Sequence, residues 1–219
     1  MGLGIGDIQT TKNTANLVAD ALRSAIVQGK LLSGQSLKQD EIAAEFKVSK
    51  IPVREALVQL QAEGLVSMIP SRGATVAELT LIEVDEIYTI RVAMESIALR
   101  KAIPFLTPKE VIEAERILEN IDHETDMTKW AELNWAYHET LYRPSKMYRL
   151  IQITKNLHNN VARYLLNNYL DKTYLEESQR QHRQLLENCK DGDINAAIAT
   201  LEHHLGDPVA IFAEILGKN

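Results

Sequence analysis

Residues 45–79 read EFKVSKIPVREALVQLQAEGLVSMIPSRGATVAEL. Ser49 is placed to cap a helix, its hydroxyl accepting from an early helical N–H that lacks an intrahelical partner. Pro52 falls in the first turn, where its missing N–H costs little. Val53, Ala56, Leu57 and Leu60 then recur at i, i+3, i+4 and i+7, a stripe that faces a core. Gly64 stops the helix. LVSMI and ATV follow as two short strands, with SRG as the turn between them. Lys50 and Arg54, four residues apart, share a different face of the same helix.

Working outward, residues 14–28 carry Leu17, Leu22, Ile26 and several alanines at helical spacing, and Gly29 offers a stop. GKLLSGQSL reads as a loop with a brief extended segment. Residues 39–46 form a short helix with Ile42 and Phe46 on one face. The module is therefore helix, helix, helix, hairpin. From residue 81 the pattern is helical throughout, with helices near 82–103, 107–121, 127–143, 146–170, 173–190 and 194–217. Pro104, Pro108, Pro144 and the Asp191-Gly192-Asp193 turn punctuate them. Six helices with short connections predict an antiparallel bundle. The fold class is mainly α, with a first domain over 10–78 and a second over 79–219.

The chain has 219 residues and 45% hydrophobic content, ordinary for a globular protein. No apolar run approaches the ~18 residues that span a bilayer, and the N-terminus lacks the pattern of a signal peptide. Cys189 is the single cysteine, which fits a reducing cytoplasm. Residues 1–77 hold 8 Lys/Arg against 7 Asp/Glu, a balance of +1, and residues 78–219 hold 16 against 23, a balance of −7. So acidic a chain is a poor nonspecific binder of polyanions, but its first third can still bind DNA if the cations share one face.

A helix of ~14 residues fits the major groove of B-DNA. Reading needs donors near its N-terminus, and anchoring needs positive charge and backbone N–H groups at phosphates. Ser49, Lys50 and Arg54 supply both. Arg72 and Gly73 at the hairpin tip suit a wing in the minor groove. The alternative is a solvated helix face and an ordinary turn. ALRSAIVQGKLLSGQSL, EIAAEFKVSKIPVREALVQLQAEGLV and SRGATVAEL, within residues 21–77, resemble the winged helix-turn-helix of GntR-type bacterial regulators. The resemblance implies DNA contacts at Ser49, Lys50, Ile51 and Arg54, with Gly73 at the wing. Lysine stands at position 50 where arginine is usual in the family. A point charge there favours phosphate anchoring over base reading.

Of six histidines, three phrases draw notice. NWAYHETL sets Asn134 and His138 on one helical face, SQRQHRQLLENCKDGD places His182 mid-helix, and ATLEHHLGD places His203 and His204 late in the last helix. Imidazoles projecting inward from bundle helices can hold a divalent ion, although a helical histidine is more often a surface or satisfied core residue. EIYTIRVAMESIALRKA, NWAYHETLYRPSKMYRLI and HRQLLENCKDGDINAAIATLEHHL resemble the helical effector domain of FadR-like GntR regulators, the FCD domain. The six-helix count points to its shorter, VanR-like form. The resemblance implies metal ligation by Asn134, His138, His182 and His204, with Asn134 in place of the commoner aspartate and His203 pointing elsewhere. It implies a Zn²⁺- or Ni²⁺-class ion. It also places Arg91 near a bound small molecule, where its guanidinium can grip a carboxylate, the alternative being a salt bridge with Glu95. Arg163 is a further pocket candidate.

The leading expectation is a cytoplasmic homodimeric transcription factor. It would bind a palindromic double-stranded operator through two winged modules, modulated by a small carboxylate metabolite, with no membrane partner. A metal hydrolase built on the three histidines is the rival, weakened because Asn134 cannot take a proton. A third reading makes the bundle a dimerisation platform without an effector.

Overall fold

A computed structural model describes the backbone of residues 9–70, 73–168 and 172–216, and the side chains of 14–70, 73–162 and 173–213. By its internal contacts the chain divides into two compact units, Met1–Glu78 and Leu79–Asn219.

In the first unit α1 (Gln9–Val27) is followed by β1 (Ser36–Leu37), α2 (Gln39–Phe46), α3 (Lys50–Ala62), β2 (Val66–Ile69) and β3 (Gly73–Val76). The stripe on α3 is fully buried at Val53, Ala56, Leu57 and Leu60 and packs on Val18, Ala19, Leu22 and Ile26 of α1. Leu17 does not join it and is 63% exposed. The alanines let the neighbouring stripe of α1 approach closely, so Ala15, Val18, Ala19 and Leu22 turn inward instead. Phe46 likewise remains partly exposed while Ile42 is buried. The turn into α3 places Lys47 at φ 54°, left-handed, which lets the Val48 N–H reach the Ala43 carbonyl and closes α2.

The sheet has order β1-β3-β2, antiparallel throughout, with Val66 opposite Val76 and Ile69 opposite Gly73. The brief extended segment between α1 and α2 thus becomes a third strand, pairing Ser36 with Thr75. Gly73 opens β3 at φ 81°, a conformation open to glycine at no steric cost.

The second unit holds six α-helices among the described residues: α4 (Leu81–Ala102), α5 (Pro108–His123), α6 (Met127–Tyr142), α7 (Tyr148–Asn168), α8 (Lys172–Lys190) and α9 (Ile194–Leu216). Thr80 and Glu83 form a capping box at the start of α4, and Asp126 caps α6 through the N–H groups of Thr128 and Lys129. Helix α4 packs against α6, α7 and α9, α5 pairs with α6, and α8 pairs with α9. Their shared core includes Leu99, Tyr137, Leu141, Leu185 and Leu201. No helix among the described residues is long and apolar enough to cross a membrane.

Candidate metal centre and nucleic-acid interface

Three imidazoles meet inside the second unit. His138 from α6, His182 from α8 and His204 from α9 are all buried, and one nitrogen of each lies within 4.8 Å of the others. Their protonation can be derived from what surrounds them. Gln179 Nε2 donates to the Leu118 carbonyl at 3.2 Å and to Asp122 Oδ1 at 2.9 Å, which fixes its amide. Its Oε1 must then accept from His182 Nδ1, at 2.9 Å. Gln181 repeats the arrangement: Nε2 donates to Glu177 and Asp207, and Oε1 accepts from His204 Nδ1 at 2.9 Å. Tyr142 spends its one proton on Glu95 Oε2 at 2.6 Å, so its oxygen accepts from His138 Nδ1 at 3.2 Å.

Every Nδ1 therefore carries the proton, and every Nε2 offers a lone pair. His182 Nε2 and His204 Nε2 are 3.2 Å apart, and His138 Nε2 is buried with no hydrogen-bond partner. Two nitrogens on a tetrahedral zinc ion at ~2.0–2.1 Å are about 3.3 Å apart. The donor set fits a divalent ion, with the Nδ1 partners orienting each ring as outer-shell groups do in metal sites. Burial, reinforced by the neighbouring imidazoles, holds His138 and His182 well below the ordinary imidazole pKa. Burial followed by Arg91 pushes His204 down to about 3. All three are neutral near pH 7.

Asn134, one turn before His138, reaches the same place. It is buried, and its Nδ2 lies 3.4 Å from His182 Nε2. A nitrogen with its lone pair delocalised does not ligate, so coordination here would use Oδ1 with the amide turned over. His203 is two-thirds exposed and pairs with Asp207.

Arg91 and Glu95 are the buried cation and carboxylate of this unit among the described residues. Arg91 Nε donates to Glu95 Oε1 at 2.8 Å, so the expected alternative, the salt bridge, does form. The guanidinium also lies over the Tyr88 ring at 5.1 Å and borders a cavity of about 40 Å³ that Asn134, His158 and His204 line as well. The cavity has room for a group of a few heavy atoms. The carboxylate Glu95 links Arg91 through Tyr142 to His138, a continuation of the expected pair that the sequence did not announce. Glu95 and Tyr142 each lie four residues from a candidate, at helical contact spacing, and Gln179 lies three before His182. His158 gave no such signal. The side chain of Arg163 lies outside the described residues.

In the first unit Ser49, Lys50, Ile51 and Arg54 occupy the first turns of α3, and all are exposed. Ser49 starts the helix in extended backbone conformation but makes no capping hydrogen bond with its side chain, contrary to expectation. Lys50 Nζ lies 2.5 Å from Asp40 Oδ1 of α2. Arg54 has no hydrogen bond or ion pair among the described residues. Ile51 is 63% exposed, an apolar side chain held out from the helix tip. Gly73 is exposed at the strand end, and Arg72 lies outside the described residues.

Residues 14–76 match the family model for bacterial regulatory proteins of the gntR family, and residues 86–207 match that of the FCD domain. The chain is similar to the HTH-type transcriptional regulator YdhC of Bacillus subtilis, 29% identical over 180 residues covering 80% of each chain. It is similar to the gluconate operon transcriptional repressor of the same species, 31% identical over 180 residues, 80% of this chain and 72% of that one. Among solved structures E. coli McbR/YncC matches with TM-score 0.78 at 26% identity, covering 92% of this chain and 97% of the other. These relatives are transcriptional regulators, not enzymes, and they give the hydrolase reading no support.

Proposed function

This chain belongs to the GntR family of bacterial transcriptional regulators and carries an FCD domain, and from that premise we propose that it is a dimeric, metal-dependent sensor of a small carboxylate, acting on a palindromic operator. In this reading residues 10–78 are the DNA-binding domain and residues 79–219 the effector and dimerisation domain. Arg54 reads base edges, Lys50 and Ser49 hold phosphate, and Ile51 meets an apolar base edge such as a thymine methyl. Arg72 and Gly73 form the tip of the wing. Several relatives are named as repressors, and repression is the mode proposed here. The place of action is the cytoplasm, where the operator is.

One observation carries the sensor reading: three buried Nε2 lone pairs converge beside a cavity bordered by Arg91. His138, His182 and His204 would hold a Zn²⁺- or Ni²⁺-class ion, with Asn134 as a neutral fourth donor. The ion supplies positive charge and a coordination position for a carboxylate oxygen. No ligand of this set is anionic, so a bound dication keeps its full charge. That favours an anionic effector between it and Arg91. Arg163, on α7, is a further candidate contact.

The test is metal analysis of purified protein, followed by thermal unfolding with a panel of small organic acids and operator titration by fluorescence anisotropy. Stoichiometric zinc or nickel, stabilisation by a carboxylate and an acid-dependent change in operator affinity support the reading. Absence of metal together with silence across the panel leaves a dimerisation platform without an effector.

A further inference from the structure

His158 of α7 faces the same cavity as Arg91, Asn134 and His204, and the indole and leucine of Trp130 and Leu205 form its apolar wall. His158 is 8% exposed, with its ring 5.3 Å from that of Trp135. It hydrogen-bonds to the backbone of Ala131, and its Nδ1 has no partner, so the bonded nitrogen is Nε2. A carbonyl only accepts, so Nε2 carries the proton and Nδ1 presents a bare lone pair. Burial first, and Arg91 next, keep this imidazole well below its ordinary pKa, hence neutral.

A buried acceptor without a donor is costly. A plain carboxylate brings only acceptors and cannot satisfy it. An ammonium group brings donors, but its charge would lie beside the Arg91 guanidinium and the dication site. A neutral hydroxyl brings the donor without that repulsion. We propose that the effector is a small 2-hydroxy acid, its carboxylate turned to Arg91 and the imidazole cluster and its hydroxyl donating to His158 Nδ1. This deepens the carboxylate-sensor reading and rests on it. The cavity volume of about 40 Å³ restricts the part held there to two or three carbons.

Three probes of nearly equal size separate the possibilities: acetate, glycolate and glycine, titrated calorimetrically into the full chain supplied with stoichiometric zinc. Glycolate is expected to bind about tenfold tighter than acetate, and glycine more weakly than either. In His158→Phe, or His158→Leu should the phenylalanine variant not fold, the glycolate-to-acetate ratio falls to about one while acetate affinity changes little. Equal binding of acetate and glycolate by the unaltered protein overturns the inference but leaves the carboxylate sensor standing. A glycolate preference that survives loss of His158, or tightest binding of glycine, also overturns it. Binding of none of the three overturns both this inference and the sensor reading.

Discussion

His182 Nε2 and His204 Nε2 face each other across 3.2 Å, and both present lone pairs. Gln179 and Gln181 enforce this by taking the Nδ1 protons, each with its own amide pinned by a carboxylate. Two lone pairs so close in a buried site repel, and a cation between them turns the repulsion into ligation. The arrangement is a consequence of two glutamines, not of the histidines alone.

Metal removal should therefore destabilise the second unit. A chelator is expected to lower the thermal midpoint, and added zinc or nickel to restore it, with about 2.7 kcal/mol of stabilisation at a free metal concentration 100 times Kd. Differential scanning calorimetry with and without chelator measures this. Equal midpoints in both conditions count against a bound ion.

Gln181→Met removes the acceptor for His204 Nδ1 and with it the fixed tautomer. Metal affinity should fall by about 10- to 100-fold while far-UV circular dichroism stays helical. Asn134→Asp should act oppositely, adding an anionic oxygen and raising affinity by about tenfold or more. Competition with a chromophoric chelator reports both.

Arg91→Ala leaves Glu95, which is fully buried, without its guanidinium partner. The expected cost is about 3–5 kcal/mol in urea unfolding, beyond any loss of effector response. Arg91→Met with Glu95→Gln removes both charges and should be milder. A single variant as stable as the unaltered protein would count against Glu95 depending on Arg91 for its burial.

Stability without metal should depend on pH. His138, His158 and His182 titrate well below the unfolded value of 6.5 in the folded chain, and His204 at about 3. Below pH 6.5 the unfolded chain binds more protons, so folding stability is full above that pH and falls as the pH drops towards the folded values. The slope is about 1.4 kcal/mol per pH unit for each imidazole. Urea midpoints at pH 7.5, 6 and 5 in the presence of chelator check the sign.

In the DNA-binding unit Arg54→Ala should cost about 1–3 kcal/mol in operator affinity and relax discrimination at one base pair. Lys50 is partly neutralised by Asp40. Asp40→Asn should free it and tighten operator binding by about threefold, in line with the modest worth of an exposed ion pair. Anisotropy titrations at two salt concentrations separate the two effects, because a phosphate contact changes the salt dependence.

Helices and the hairpin were legible because they are set by residues within about four positions of one another, whereas the cap expected from the Ser49 hydroxyl did not form. Val53, Ala56, Leu57 and Leu60 announced the buried face of α3, and Gly64 its end. The same local pattern could not choose between adjacent stripes of α1, and Leu17 went outward because the closer approach of Ala15, Val18 and Ala19 decided the matter. The histidines that gather were named through family resemblance, since spacing alone left them ambiguous. Their tautomers, the extension of the Arg91–Glu95 pair through Tyr142 to His138 and the orphan Nδ1 of His158 came only from the tertiary structure. Those features join residues from separate helices, and Asn134 and His182 are 48 positions apart. A single chain segment carries its own hydrogen-bond periodicity, but which polar atom is left without a partner depends on every helix packed around it.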